Sequence, residues 1–382
     1  LTFKQKNIIY LNMSRRTFKY RIYPTKKQIT SLNKTLSGCQ KLYNFFLEDR
    51  KTAYNKDKKS VSCYDQQKKI KDLKKEVPIL SEIHSQVLQN VAVRVDLAYQ
   101  AFFRRVKSKK GKAGFPRFKA WNRYDSFTFP QSGFKIIEDK SVVQLSKIGR
   151  IKIKQHRPII GVIKNCTIKK TPTGKWFVSF SCDNPSVAVN KQFGRVCGID
   201  VGLEHFATLS NGTHIENPKF FRSEEKSLAK AQRKLSTQKR GSTGRTKAKK
   251  VVAKIHERIK NKRHNFIHQV SKKLVADFKF IVVEDLNINN MMKGNFKSMN
   301  KSIGDASWRL FIEQLESKAE EAGSQVIKVN PAYTSQTCPR CGNREKKSLS
   351  DRVHKCSCCH YSLQRDHAAA INILTLGQQS LA

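Results

Sequence analysis

Acidic side chains are scarce in this chain: 29 aspartates and glutamates stand against 76 lysines and arginines in 382 residues, a formal charge of +47. A surplus of that size repels itself unless something anionic neutralises it. A long polyanion is therefore the expected partner, with binding that weakens steeply as salt rises. Long apolar runs are also missing. No stretch reaches the roughly 18–20 residues of a membrane-spanning helix. No leader with an apolar centre and a small-residue cleavage site is visible, so a cytoplasmic protein with no membrane partner is expected. Core-forming material is not scarce. Hydrophobic residues make up 38%, with 22 Phe and 10 Tyr, too much for a disordered tail. The length suggests two or three domains.

Strand-like alternation begins at Met13 and runs to Tyr23, and residues 1–12 read as upstream of a natural start. Thr25 is placed to cap a helix running through Gln28, Leu32 and Leu36. Helical periodicity continues to about residue 108, broken near Pro78, and Ile83–Phe103 predicts one amphipathic helix. Arg94, Arg104, Arg105 and Lys107 flank its apolar stripe and are candidates to face a phosphate backbone. Short alternating runs then dominate from Ser126 to Asp183, at 127–129, 142–145, 148–153, 161–168 and 176–181. They predict a small β-barrel or sheet that strand 15–23 joins in space. From Gly194 strands and helices alternate: 195–203, a 206–209 hairpin turning at Asn211-Gly212, a basic helical stretch over 224–278, strand 279–284, helix 307–323 and strand 325–329. Lys239–Lys250, with six basic residues and two glycines in twelve, reads as a mobile loop between helices.

Two features carry chemistry. Cys338, Cys341, Cys356 and Cys359 form two CxxC knuckles separated by fourteen residues. Four thiolates at that spacing suit a closed, tetrahedral, structural Zn²⁺. Cys358 lies inside the second knuckle and is an alternative ligand to Cys356 or Cys359. Arg340, Arg344, Lys346, Lys347, Arg352 and Lys355 make the segment basic. Cys39, Cys63, Cys166, Cys182 and Cys197 read as reduced, mostly buried small hydrophobes. Acidic residues supply the second feature. Asp200 and Glu284 each end an apolar run, and Asp366 precedes an apolar helix start. Strand ends are where α/β sheets place their chemistry. Three gathered carboxylates repel one another, and divalent cations relieve that cost. The expected cofactor is a pair of Mg²⁺ ions about 4 Å apart on a scissile phosphate. Asp285 adjoins Glu284 but would point to the opposite face if the strand continues; Glu204 and Asp305 are candidate helpers, and His367 is either a substrate contact or a structural histidine.

These residues resemble the TnpB (OrfB) family of IS200/IS605 and IS607 transposons, RNA-guided RuvC-like nucleases related to type V CRISPR effectors. Gly198-Ile-Asp-Val-Gly-Leu203, Val282-Val-Glu-Asp-Leu286 and Arg365-Asp-His-Ala-Ala-Ala-Ile-Asn-Ile373 look like its three RuvC motifs. Thr334-Ser-Gln-Thr-Cys-Pro-Arg-Cys-Gly342 looks like its zinc-finger entry, and Phe115–Lys119 and Tyr20–Pro24 also match. The resemblance implies a multidomain α+β and α/β chain. Its parts would be a wedge barrel (13–30 and 120–190), an inserted helical recognition domain (31–119), a ribonuclease-H-like RuvC domain (191–332, ending at 363–382) and a zinc ribbon (333–362). It further implies an endonuclease that binds a guide RNA from the transposon end and cuts double-stranded target DNA beside a short adjacent motif, base pairing supplying sequence choice. A transposase encoded by the same element is an implied partner, and a monomer is expected. A guide-bound repressor and a DNA transposase are the alternatives, and the intact Asp200, Glu284 and Asp366 weigh against the first. His360 stands where the family usually has glycine, and Gln364 near a commonly acidic position.

Overall fold

The computed structural model describes residues 13–109, 113–121, 123–137, 139, 141–185, 194–293, 296–348 and 351–380. The segment 1–12, where a later natural start was expected, lies outside them. The chain divides into two compact units, 1–185 and 186–382. Among the described residues no helix is long and apolar enough to cross a membrane.

The first unit runs β1 (Met13–Tyr23), α1 (Lys26–Asp57), α2 (Cys63–Glu76), α3 (Pro78–Ser81), α4 (Ser85–Ser108), β2 (Ser126–Phe129), β3 (Phe134–Ile137), β4 (Val142–Leu145), β5 (Gly149–Lys154), β6 (Val162–Lys170) and β7 (Trp176–Pro185). Thr25 caps α1 as expected, in a reciprocal box with Gln28. The buried stripe of α1 (Leu32, Leu36, Cys39, Tyr43, Phe46 and Arg50) recurs every three or four residues, one helical face. Seven antiparallel strands order as β2-β6-β7-β1-β5-β4-β3, so β1 does join the later strands, between β7 and β5. The two edge strands meet at Phe129 and Phe134, ring centroids 6.4 Å apart, which brings the sheet close to closure.

Two expectations need correcting here. The helix predicted from Ile83 starts at Ser85, and Ile83 is instead a buried turn residue. Arg94 does not face outward: its guanidinium donates to Ser126 O (2.6 Å) and Thr128 Oγ1 (2.9 Å), tying α4 to β2. Strand β3 was not foreseen, because Phe134-Lys-Ile-Ile137 ends in two adjacent apolar residues and does not alternate.

The second unit runs β8 (Val196–Asp200), β9 (His205–Leu209), β10 (His214–Glu216), α5 (Phe220–Thr237), α6 (Thr243–Asp277), β11 (Phe280–Glu284), α7 (Ile288–Met291), α8 (Lys297–Ala306), α9 (Trp308–Ala322), β12 (Gln325–Val329), β13 (Val353–Lys355), β14 (Ser362–Gln364) and α10 (Arg365–Gln379). Its five-stranded sheet is ordered β10-β9-β8-β11-β12. The β8, β11 and β12 strands are parallel, β9 runs antiparallel to β8, and β10 runs antiparallel to β9. The β9–β10 turn is the expected Asn-Gly turn, with Gly212 at φ +84°. Lys239–Lys250 is not one loop: Ser242 caps α6, accepting from Arg245 N, and residues 243–250 are already helical.

Candidate active site and metal centre

Helix α10 sits on the sheet at two glycines. A Cβ at Gly198 would lie 2.2 Å from Ala370 O, and one at Gly377 would lie 2.3 Å from Val282 Cγ2. Side chains alternate along a strand. Asp200, two residues past Gly198, and Glu284, two past Val282, therefore turn to the same face as α10. Asp366 stands in the first turn of that helix, where the helix dipole favours an anion. The three predicted carboxylates thus gather at the C-terminal ends of β8 and β11.

Electrostatics registers the gathering. Burial, then the charges of Glu284 and Asp366, push the Asp200 carboxyl well above its ordinary range, opposed in part by Arg365 and by the Val201 N–H. Burial also raises Glu284, while Thr334 Oγ1 donates to its Oε1 at 2.6 Å and pulls the other way. The donor set is oxygen-only and short of positive charge, which suits a hard divalent cation. It is looser than the sulfur set described below, whose four ligand atoms lie within 4.8 Å of one another.

Thr334 was missed as a contributor. It is buried, and Asn372 of α10 donates to its carbonyl (2.8 Å) and to that of Thr337 (2.7 Å). The sequence shows each half separately, a threonine four residues before the first knuckle and an asparagine inside the apolar run Ala368–Ile373, but nothing local joins them.

The helper candidates separate. Asp305 is buried and accepts from the N–H of Phe221 (2.9 Å) while pairing with Arg263 (2.8 Å), so it fixes the start of α5 instead of joining the trio. Glu204 pairs with Arg352 at 3.1 Å. Asp285 lines a separate cavity of about 460 Å³ with Arg309, Glu313, Glu316 and Lys328. His367 Nε2 lies 3.1 Å from Ser210 O, and its ring packs beneath the Gly212 turn.

The four cysteines converge. Cys338 and Cys359 sulfurs are 3.6 Å apart, as are those of Cys341 and Cys356. Tetrahedral zinc with Zn–S bonds of about 2.3 Å needs sulfurs about 3.8 Å apart, so the set fits the ion. Cys358 is exposed and outside the cluster. The knuckles repeat one hydrogen-bond plan. Gly342 N donates to Cys338 O and His360 N to Cys356 O (3.0 and 3.1 Å), while Cys338 N reaches Asn343 O and Cys356 N reaches Tyr361 O (2.8 and 3.0 Å). The plan demands a left-handed residue after each second cysteine: Gly342 has φ +77°, and His360 adopts φ +55° without glycine's freedom. Backbone N–H groups of Cys359 and Cys358 lower the Cys356 thiol, while contacts among the clustered sulfurs hold Cys341 and Cys359 up, so the set shares protons that a bound metal would displace. Among the other cysteines Cys39, Cys166, Cys182 and Cys197 are buried and Cys63 is partly so.

A family model described as a probable transposase, OrfB of IS605, matches residues 179–295. A Cas12f1-like TNB domain matches 308–373, and a helix-turn-helix domain matches 13–59. In the structure that last segment is β1 followed by the single 32-residue helix α1. The chain is 30% identical over 381 residues to "Putative RNA-guided DNA endonuclease InsQ" of Escherichia coli strain K12, covering 96% of this chain and 93% of that one. It is 32% identical over 371 residues to a "Putative RNA-guided DNA endonuclease" of Streptomyces pristinaespiralis, covering 95% and 89%. Its fold resembles that of Cas12f1 from a cryo-EM structure of a Cas12f1–sgRNA–target DNA complex, at TM-score 0.57 and 13% identity over 94% of this chain and 98% of that one. With relatives at this identity matched over nearly all of both chains, and a family model over 179–295, the chain belongs to the TnpB (OrfB) family of IS605-type elements.

Proposed function

We propose that this protein is an RNA-guided DNA endonuclease of a transposable element, and that Asp200, Glu284 and Asp366 are its catalytic carboxylates. The observation that carries the assignment is the gathering of these half-buried groups at the ends of two adjacent strands and the start of α10, where burial first, and then the charges of Glu284 and Asp366, oppose the ionisation of Asp200. Relatives that match nearly end to end bear the name of the activity.

The trio would hold two Mg²⁺ ions, which when bound supply charge stabilisation to the attacking and leaving oxygens of a phosphodiester. The chain's own residues do the arranging. The β8 and β11 strands fix Asp200 and Glu284 side by side, and the close seat of α10 fixes Asp366 against them. Thr334 holds one Glu284 oxygen, Oε1. Arg365, whose charge acts on Asp200, tempers the local negative field. Cys338, Cys341, Cys356 and Cys359 would hold a zinc ion with no protein-free position, so that it would serve the folding of the ribbon and not hydrolysis.

Under this reading the hairpin-edged, partly parallel sheet is a ribonuclease-H-like RuvC core (191–332 and 363–382) interrupted by the ribbon (333–362). The sheet of the first unit is a wedge barrel (13–30 and 120–190) around a helical recognition insert (31–119). The net charge of +47 suits a guide RNA paired to target DNA. The test is purification with RNA from the flanking element, followed by cleavage of a randomised target library. RNA- and Mg²⁺-dependent double-strand cuts beside a fixed short motif, absent in Asp200→Ala, are expected. Strand transfer without RNA would instead favour the transposase named in the family description.

A further inference from the structure

A cavity of about 1060 Å³ opens in the first unit among α1, α2, α4 and the segment around Phe115. Its inner wall is aromatic: Phe115 meets Phe102 at 5.2 Å and Tyr99 edge-on at 5.5 Å. Its mouth carries rings that a soluble surface normally hides, with Tyr54 60% and Tyr64 65% exposed. Each has a lysine ammonium over it, Lys58 at 5.2 Å and Lys68 at 4.5 Å.

Inside, Arg50 is only 9% exposed. Its Nε donates to Gln66 (3.0 Å) and its Nη1 to Asp96 (2.9 Å), but its Nη2 is buried without a partner. Tyr99, whose ring lies 5.2 Å under the same guanidinium, has a hydroxyl that is likewise buried and unpartnered. Burial lifts the Tyr99 pKa, so it stays a phenol and a donor. Two unsatisfied donors in an aromatic chamber call for a flat ligand with acceptors on its edge. Lysines at the mouth call for that ligand to be anionic. A nucleotide meets all three demands. An apolar helix from another protein would cover the rings but leave both donors unpaired.

A base in a duplex must be unpaired and unstacked before it can enter. Loops and bulges of folded RNA already present splayed bases, which proteins bind by stacking on aromatic rings and arginine planes. We infer that this cavity is a pocket for one or two unpaired nucleotides of a folded RNA, with bases against the rings and phosphates at the rim lysines. The inference rests on the reading above only for the presence of an RNA partner.

The test uses the full chain and three fluorescein-labelled probes: an RNA hairpin with a two-adenosine bulge, the same hairpin fully paired, and a DNA hairpin with the same bulge. Anisotropy is measured at salt high enough to suppress phosphate-only binding. The wild type is expected to prefer the bulged RNA by about tenfold or more. Tyr54→Ala/Tyr64→Ala, which removes two exposed rings, should erase that preference and leave the paired hairpin unaffected. Tyr99→Phe keeps the ring and should lose about fivefold on the bulged RNA alone. Four results would overturn the pocket: no bulge preference in the wild type, equal losses on both RNA hairpins, equal preference for bulged DNA, or a wild-type dimer that the double tyrosine variant disperses. No cleavage enters the assay, so its failure leaves the carboxylate assignment standing. Loss of cutting in Asp200→Ala should leave the bulge preference unchanged.

Discussion

The two candidate metal sites of the second unit are built on opposite plans. The sulfur site comes from two short loops of identical design, each closed by its own backbone hydrogen bonds, and its ligands stand at metal spacing. The oxygen site comes from residues 84 and 82 positions apart in sequence, on two strands and a helix, and its members resist one another. A closed set of soft ligands stores no work and serves the fold. An open set held against repulsion keeps a standing demand for cations, which suits chemistry.

The largest effect expected from breaking this contrast is Asp200→Ala, which should lower cleavage by on the order of 10³-fold or more while RNA binding persists. An undiminished rate would show that the oxygen site is not the cutting site. On the sulfur side, metal analysis should find about one zinc per chain. Cys338→Ser should lose it, with proteolysis concentrated in the ribbon, while Cys358→Ser should retain it. Equal loss in both variants would undo the distinction between Cys358 and the four clustered thiols. Gly198→Ala forces a methyl into the Ala370 carbonyl and should cost about 1–3 kcal/mol or more, with cutting lost even though every carboxylate is present.

Next comes a sign that separates the two plans. A carboxyl whose folded pKa is raised binds its proton more tightly when folded. Its contribution is therefore full below the unfolded value, near the ordinary 3.8 of Asp, and is lost as pH climbs toward the folded value. Without divalent ions, Asp200→Asn should flatten that decline and gain on the order of 1 kcal/mol near neutral pH, measured by urea unfolding. A loss of stability would contradict the repulsion argued here. The smallest effect belongs to His360→Gly. Relief of a left-handed non-glycine residue should stabilise the zinc-loaded ribbon by about 1 kcal/mol or less, seen as slower zinc release to a chelator.

Much of this was legible because local rules and tertiary needs agreed. The apolar runs ending at Asp200 and Glu284 are strands covered on both faces, and β12 falls at the predicted residues. Thr25 caps where a threonine after proline should. Legibility failed where composition disguised geometry. Six cations and two glycines in Lys239–Lys250 looked like loop, yet Ser242 accepts from Arg245 N and starts a helix whose large buried side chains come only later, at Ile255 and Ile259, after the small Ala248. Arg94 looked like a phosphate ligand because nothing local announces its partners on β2, 32 and 34 residues away. Asp305 looked available for the same reason. Thr334 was invisible as a Glu284 partner because the link depends on Asn372 folding back from the last helix.

That last link joins the two plans. Asn372 grips the carbonyls on either side of the ribbon's entrance, Thr334 grips Glu284, and β14 runs without a break into the helix that carries Asp366. The sulfur knot is thus coupled by a few short bonds to two of the three carboxylates proposed to do the cutting. Zinc starvation, or an oxidant that welds the thiols into disulfides, is expected to disarm the nuclease while leaving each carboxylate chemically intact.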